Sequence, residues 1–480
     1  MKRNFFRLIA AVLVASLSLI SCTNELTGED QPVKGYHISI PAHSASTKAI
    51  VETGDGGISC VFKTTENVYV YNISSETWDD GVLHPASEGT STVFSGDLNN
   101  PYSADQTIRV FYNTDSEGVV DYSGQDGSYE NVKDAGVGEA TISTVSDDVI
   151  TTNETCVENL QSIFRFIFKD GTTPLENVIS VVISSVDGKL VSTYDAQNET
   201  DTPGSVVATS SEGRSAFYVA LRFAPEASGA LVFQVVTADG KVYSGSKSAP
   251  DGGYQNGKFY KDIKVAVTPH VFSVSDSKQV YIAPGNLGKD GDTYSFLLPY
   301  ANWGYDSTGS PDDLTKTAYF KWKKAVDNAP YTIYGIEDWT ILSKDEWDYL
   351  TGVDEISPRE MNTDVERLYI VKTSGKLGVI ITPDGATASD VEGLTPYSNE
   401  NKYNDVNYLE YVAKGFAFLE ACGGYNSGWS NDDQIFSWTS TEKNSTNKYF
   451  IRVRLNPNPD LQIAYGQSRY YPVRLVHTVF

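Results

Sequence analysis

The chain has 480 residues, 40% of them hydrophobic, and a formal net charge of −25 at pH 7. That length suggests about two to four domains with real cores, which excludes a disordered stalk. A surface this acidic repels nucleic acid and anionic lipid headgroups, so neither is an expected partner. Thirty Tyr against two Met, with abundant Val, Ile, Thr and Phe, favour β-structure. Cys22, Cys60, Cys156 and Cys422 are too widely spaced for a disulfide framework or a Cys-x-x-Cys metal site. The last three are expected to be small buried hydrophobes.

Residues 1–21 begin with Lys2, Arg3 and Arg7, followed by an apolar run from Leu8 to Ile20. The run is too short to span a bilayer and ends on a small-residue cleavage signature, so it reads as a removed export signal. Leu19-Ile20-Ser21-Cys22 resembles the lipobox of bacterial lipoproteins. The resemblance implies cleavage between Ser21 and Cys22, acylation of Cys22, and anchoring in the outer membrane. Each buried methylene contributes about 0.8 kcal/mol, so several acyl chains hold where a single one does not. Residues 22–34 follow as a polar, acidic tether containing Pro32. No later apolar run is long enough to cross a membrane.

From Tyr36 onward, short alternating segments recur between Gly, Asn, Asp and Ser clusters. Val68-Tyr69-Val70-Tyr71 and Ile108-Arg109-Val110-Phe111-Tyr112 are examples. A second set opens with Ile163-Phe164-Arg165-Phe166-Ile167-Phe168, whose three Phe share one face with Arg165 on the other. This pattern predicts two antiparallel β-sandwiches, over residues 35–154 and 155–268. Residues 269–480 read as an α+β module that holds most of the Trp. Ser343-Lys344-Asp345-Glu346 is a capping box opening a helix with Trp347 and Leu350 on one face. A second helix is expected over Asn404 to Ala413, with Leu409 and Val412 inward. Tyr449 to Leu455 and Val473 to Val476 return to strands.

The first two-thirds resembles the fimbrillin (Mfa-like) family of Bacteroidales surface proteins. The carriers are the lipobox, Ser46-Thr47-Lys48-Ala49, Phe94-Ser95-Gly96-Asp97-Leu98, Asn159-Leu160-Gln161-Ser162 and Gly257-Lys258-Phe259-Tyr260. This resemblance implies two transthyretin-like sandwiches, assembly with other pilin subunits, and protease processing between Lys48 and Ala49. In such pilins the cut frees a leading strand, and a strand from the next subunit fills the groove. The remainder resembles C-type-lectin-like modules, through Ala283-Pro284-Gly285-Asn286-Leu287, Trp339 to Trp347, Phe436-Ser437-Trp438-Thr439-Ser440 and Tyr471-Pro472-Val473-Arg474-Leu475-Val476. Related modules serve in adhesins and in formylglycine-generating enzymes. The enzymatic relatives depend on reactive cysteines, whereas this module has only Cys422, in an apolar stretch.

No His-Glu-x-x-His, phosphate loop or Gly-x-Ser-x-Gly elbow occurs, so no catalytic residue is assigned and the chain is not expected to be an enzyme. The Glu-Pro-Asn and Gln-Pro-Asp triplets of calcium-dependent lectins are absent, so no calcium-sugar site is carried over and no metal or other cofactor is implied. Ca²⁺ binding would rest on the incomplete Trp429-Ser430-Asn431-Asp432, or on Asp290-Gly291-Asp292, which reads as a turn. Tyr425, Asn426, Trp429, Asn431 and Asp432 form the candidate ligand site: rings can stack on a sugar while Asn and Asp supply directional hydrogen bonds. Val473 to Val476 reads as an internal strand, unable to leave for a neighbour without exposing both faces. These features point to a cell-surface fimbrial tip adhesin, lipid-anchored as a precursor, gripping a host or microbial glycan or protein. The alternatives are a monomeric glycan-binding lipoprotein of nutrient uptake and, further off, a carbohydrate-active enzyme.

Overall fold

Strand dominates the polypeptide because β-branched and aromatic residues alternate with polar ones between turn-forming clusters. The computed structural model describes residues 35–44, 51–52, 58–59, 61–297, 316–317, 319–352, 365–373, 376–394, 404–421, 424–425, 429–430, 434–454, 460–467 and 470–479. Ser21, Cys22, Cys60, Lys48, Ala49, Cys422, Asn426, Asn431 and Asp432 lie outside the described residues.

The first strands are β1 (Tyr36–Ser44), β2 (Val68–Asn72), β3 (Thr77–Pro85), β4 (Ser91–Leu98) and β5 (Thr107–Tyr112). They are followed by β6 (Val119–Asp121), β7 (Gly136–Ser146), β8 (Val149–Thr152) and β9 (Thr155–Asn159). All except β6 form one eight-stranded sheet in the order β8-β1-β9-β7-β5-β2-β3-β4, and β4 pairs back onto β1, so the sheet closes on itself. Ile38, Ile40, Val68, Val70, Phe94, Val110 and Ile142 fill the interior, each fully buried. The outward row carries Cys156, which is exposed. The expectation that it packs inside fails because it falls between the buried Thr155 and Val157 on an alternating strand.

The second group comprises β10 (Ser162–Asp170), β11 (Val178–Ser185), β12 (Leu190–Asp195), β13 (Val206–Arg214) and β14 (Phe217–Phe223). It is completed by β15 (Leu231–Thr237), β16 (Val242–Lys247) and β17 (Phe259–Pro269). Their order is β12-β14-β10-β17-β16-β15-β11-β13, with the strand Thr200–Pro203 outside β12. Phe164, Phe166 and Phe168 are buried on one face of β10, with Arg165 turned away beside Asp262. The sheets hand over differently from a division at 154/155. β9 hydrogen-bonds β1 and β7, while β6 leaves the first sheet to pair with β12. Val120, Tyr122 and Val132 consequently join the core of the second group.

The remaining elements include β18 (Lys278–Asp290), β19 (Thr293–Leu297), β20 (Phe320–Lys321), β21 (Ile336–Ile341), α1 (Lys344–Thr351), β22 (Leu368–Thr373) and β23 (Lys376–Ile381). After them come α2 (Tyr408–Val412), β24 (Ala417–Glu420), β25 (Gly424–Tyr425), β26 (Trp429–Ser430), β27 (Gln434–Glu442), β28 (Asn447–Arg454), β29 (Asp460–Gln467), β30 (Tyr470–Tyr471) and β31 (Arg474–Thr478). The capping box is formed: Glu346 N donates to Ser343 Oγ at 3.2 Å and Ser343 N to Glu346 Oε2 at 2.7 Å. Trp347 and Leu350 are fully buried beneath α1. The second helix is shorter than expected. Asn404–Asp405 pairs with β22 as a strand, and Asn407 then caps α2 through Leu409 N. Asp290-Gly291-Asp292 forms the turn between β18 and β19, as its composition suggests.

This last group is docked on the outer face of the second sandwich. Every residue of β11 is buried, because one of its faces lines the sandwich core and the other meets the C-terminal elements. Ile179, Val236 and Val242 share a cluster with Tyr281, Leu287 and Trp339. Asn407 Nδ2 donates to Val186 O at 2.5 Å across the same junction.

Candidate functional site

A small sheet in the order β20-β30-β25-β26 carries two of the sequence-selected positions. Its register places Lys321 opposite Tyr470, Tyr470 opposite Tyr425, and Tyr425 opposite Trp429. Positions 321, 470, 425 and 429 therefore stand in one row across four strands, spaced about 4.8 Å apart. The neighbouring row begins with Phe320 opposite Tyr471, both buried. Strand alternation thus sends one row inward and leaves Lys321 exposed and Tyr470 half-buried. Lys321 Nζ stands 5.0 Å from the centre of the Tyr470 ring, a cation–π contact.

The inner row is anchored by aromatic packing that the sequence signals as Trp-rich. Trp438 Nε1 donates to Phe320 O at 2.7 Å, and Trp322 Nε1 to Thr439 O at 2.7 Å. Tyr471 stacks on Phe436 with ring centres 4.5 Å apart. Lys321 and Tyr470 were not among the sequence-selected residues. Their signal was the doublet Tyr470-Tyr471, whose alternate residues must face opposite ways on a strand. A Tyr ring beside a cation, as at Tyr470 and Lys321, suits a sugar face and an anionic substituent. Among the described residues, no cluster of His, Cys, Asp and Glu is placed to hold a metal ion.

The two terminal strands bear on assembly. β1 runs antiparallel to β4 from Tyr36↔Leu98 to His43↔Ser91 and parallel to β8 and β9 on its other side. Ile38, Ile40 and Ala42 point into the core, while His37 meets Asp97 and His43 meets Glu154, each at 3.0 Å, on the exposed side. The chain segment containing Lys48 follows directly. β31 instead lies between β18 and β21. Arg474, Leu475, Val476 and His477 are all buried, and His477 lies against Gly240 of the second sandwich.

Arg474 organises the surroundings of β31. Its guanidinium donates to Ala283 O at 3.0 Å and Phe418 O at 2.8 Å, and pairs with Glu420 at 3.2 Å. Asn286 Nδ2 donates to the other Glu420 oxygen at 2.6 Å. Burial pushes the Glu420 carboxyl above its ordinary value, against the opposing pull of Arg474. A buried pair of this kind fixes the relative positions of β18, β24 and β31 more than it adds net stability.

No protein-family model matches the chain, and no curated protein matches it. Among solved structures, a candidate cell adhesion protein from Bacteroides ovatus aligns with 16% identity and a TM-score of 0.30, over 49% of this chain and 96% of the other. The tip fimbrial protein Mfa3 from Porphyromonas gingivalis aligns with 11% identity and a TM-score of 0.25, over 46% and 85%. The shaft pilin SpaA from Lactobacillus rhamnosus GG aligns with 13% identity and a TM-score of 0.22, over 49% and 98%.

Proposed function

We propose that the chain is a non-enzymatic surface subunit, made as a lipid-anchored precursor, that sits at the tip of a fimbrium and grips a glycan or protein through its lectin-like C-terminal part. The observation carrying this reading is the commitment of β31. It is paired on both sides and buried on both faces, so it cannot leave to fill a neighbouring subunit. β1 is differently placed. A cut at Lys48 would detach a nine-residue strand held by one apolar row, leaving a slot between β4 and β8/β9 for an incoming strand. A subunit that can take in a strand while β31 stays committed suits an end of the fibre.

The row Lys321–Tyr470–Tyr425–Trp429 supplies the gripping surface in this reading. The row is backed by Phe320 and Tyr471, which share a cluster with Val236 and Val242 of the second sandwich. Immunogold labelling of fibres with antibody to this chain tests the placement: label confined to ends is expected, and uniform shaft label refutes it. A glycan and matrix-protein array with the mature chain tests the grip. Tyr470→Ala is expected to abolish retention while leaving the thermal midpoint unchanged. The rival, a monomeric glycan-binding lipoprotein, predicts that the mature N-terminus stays at Cys22, whereas processing would move it to Ala49. Mass spectrometry of cell-surface material distinguishes these.

A further inference from the structure

β29 is the last strand of its sheet. It pairs with β28 over all 8 residues, from Asn447↔Gln467 to Arg454↔Asp460, without a bulge. No strand lies on its other side among the described residues. Hydrogen bonds fix which of its backbone groups face outward. Asn447 O accepts from Lys443 N and Asn444 N, each at 3.1 Å, and Tyr449 O accepts from Thr439 Oγ1 at 3.1 Å, so both residues turn toward the β27 side. Trp438, opposite Phe450, donates away from β28 to Pro472 O at 3.2 Å. Lys448, Phe450 and Arg452 therefore ladder with Gly466, Ala464 and Gln462 of β29. Leu461, Ile463 and Tyr465 aim their N–H and C=O groups out of the sheet. There the backbones of Ile463 and Tyr465 meet no partner among the described residues.

An open edge of this length is ordinarily guarded by proline, lysine, a bulge or a short strand. The outer strand of the second sandwich, Thr200–Pro203, follows that rule, with 4 residues closing on proline. β29 contains no Pro, Lys or Arg between Asp460 and Gln467. It is also laterally unfinished. Ile463 is half-buried against the cluster of Trp347, and Ala464 against that of Trp339. At 56% exposure, Tyr465 is the most exposed large hydrophobic residue among those described. Its ring stands edge-on to Tyr449, with centres 6.2 Å apart.

Charge narrows the occupant. On a chain of formal charge −25, residues 442–469 carry Lys443, Lys448, Arg452, Arg454 and Arg469 against two carboxylates, Glu442 and Asp460. Glu442 is already paired with Lys448. The Lys443 ammonium lies over the Tyr465 ring, on the face that Ile463 shares. Arg452 reaches Gln462 on the opposite face. An acidic strand is favoured at such an edge, whereas a second copy of this chain would bring the same cations to it.

We propose that β29 is a docking edge for an acidic, extended segment of a partner polypeptide, which adds to the β27-β28-β29 sheet as a further strand. Its backbone would ladder with the outward groups of Ile463 and Tyr465. Alternate side chains would cover Ile463 and the Tyr465 ring on one face and bring carboxylates to Arg452 on the other. A carboxylate at its end would reach Lys443. This edge belongs to a different sheet from the row through Tyr470 and requires no cut at Lys48, so it operates whether or not the chain caps a fibre.

The test uses the mature chain, isotopically labelled at isoleucine and tyrosine nitrogen. The probe is a synthetic peptide of alternating Val and Glu, about eight residues long, at millimolar concentration. In the free chain the amides of Ile463 and Tyr465 should exchange fast, and the peptide should slow both several-fold. Tyr465→Pro removes an outward donor but no bond to β28, so it should abolish binding while barely moving the thermal midpoint. Lys443→Glu should weaken binding about tenfold. A peptide of alternating Val and Lys should not bind. Absence of protection by the Val-Glu peptide, undiminished binding to the Tyr465→Pro chain, or equal protection by the Val-Lys peptide overturns the proposal. Protection of the same amides that rises with chain concentration and needs no peptide would assign the edge to a second copy and overturn it equally.

Discussion

β1 and β31 are both flanked by a strand on each side, yet they are held in different ways. β1 buries a single row, Ile38, Ile40 and Ala42, and turns His37 and Pro41 to solvent. Every residue of β31 from Arg474 to His477 is buried, on both faces, and carries a buried ion pair besides. Losing β1 uncovers one wall of one core, whereas losing β31 would open two clusters, those of Trp339 and of Trp347. Backbone pairing alone does not decide whether a strand can be exchanged; the number of buried faces does.

The sharpest way to break this contrast is at Arg474. Arg474→Met leaves Glu420 buried without its counter-charge, and about 3–5 kcal/mol of stability should be lost from the C-terminal part. Denaturant unfolding followed by Trp fluorescence reads this, because most Trp lie in that part. The pH dependence has a defined sign. Because burial raises the folded-state carboxyl, the native chain holds the Glu420 proton more tightly than the unfolded one. Its contribution is therefore fully present below the ordinary value of 4.5 and fades as pH rises through the raised value. Glu420→Gln should flatten that slope.

At β1 the expected effect is comparable or smaller and confined to the first sheet. Ile40→Ala removes fully buried methyl groups and should cost about 3 kcal/mol. Trypsin-like nicking after Lys48 should then release the strand faster than in the parent chain, and added synthetic peptide 36–44 should restore the lost protection in hydrogen exchange. If release from parent and variant were equal, the single buried row would not be what retains β1.

The legible parts of this molecule were those whose signal is local. The capping box at Ser343, the Phe row of β10 and the commitment of Val473 to Val476 all follow from spacing along a few residues. The parts missed depend on distant chain. Nothing near Val119 announces that β6 would pair with β12 rather than with its neighbours. Asn404 to Ala413 has helical periodicity, but the free edge of β22 captures Asn404–Asp405 as a strand first. The candidate site shows the same division. Tyr425 and Trp429 stand out as aromatic residues in a polar loop, whereas Lys321 and Tyr470 reach the row from about a hundred and about fifty residues away, through a pairing that no local pattern encodes.

Ser343→Ala gives a calibrated middle term. It removes the acceptor for Glu346 N, so about 1 kcal/mol should be lost, without touching either terminal strand. The loss should appear as a lowered denaturant midpoint of the C-terminal part, with the first sheet unaffected.

The smallest expected effect is at Lys321, and it discriminates best between a structural and a recognition role. Lys321 is exposed and its ammonium stands over the face of Tyr470, an arrangement worth about 0.5–1 kcal/mol at such a site. Lys321→Gln should therefore barely move the thermal midpoint. If the row grips an anionic glycan, the same variant should weaken retention and remove most of its dependence on ionic strength, since the screened charge is gone. A neutral glycan would be held equally by both forms at every salt concentration, and the cation would then serve only to orient the Tyr470 ring.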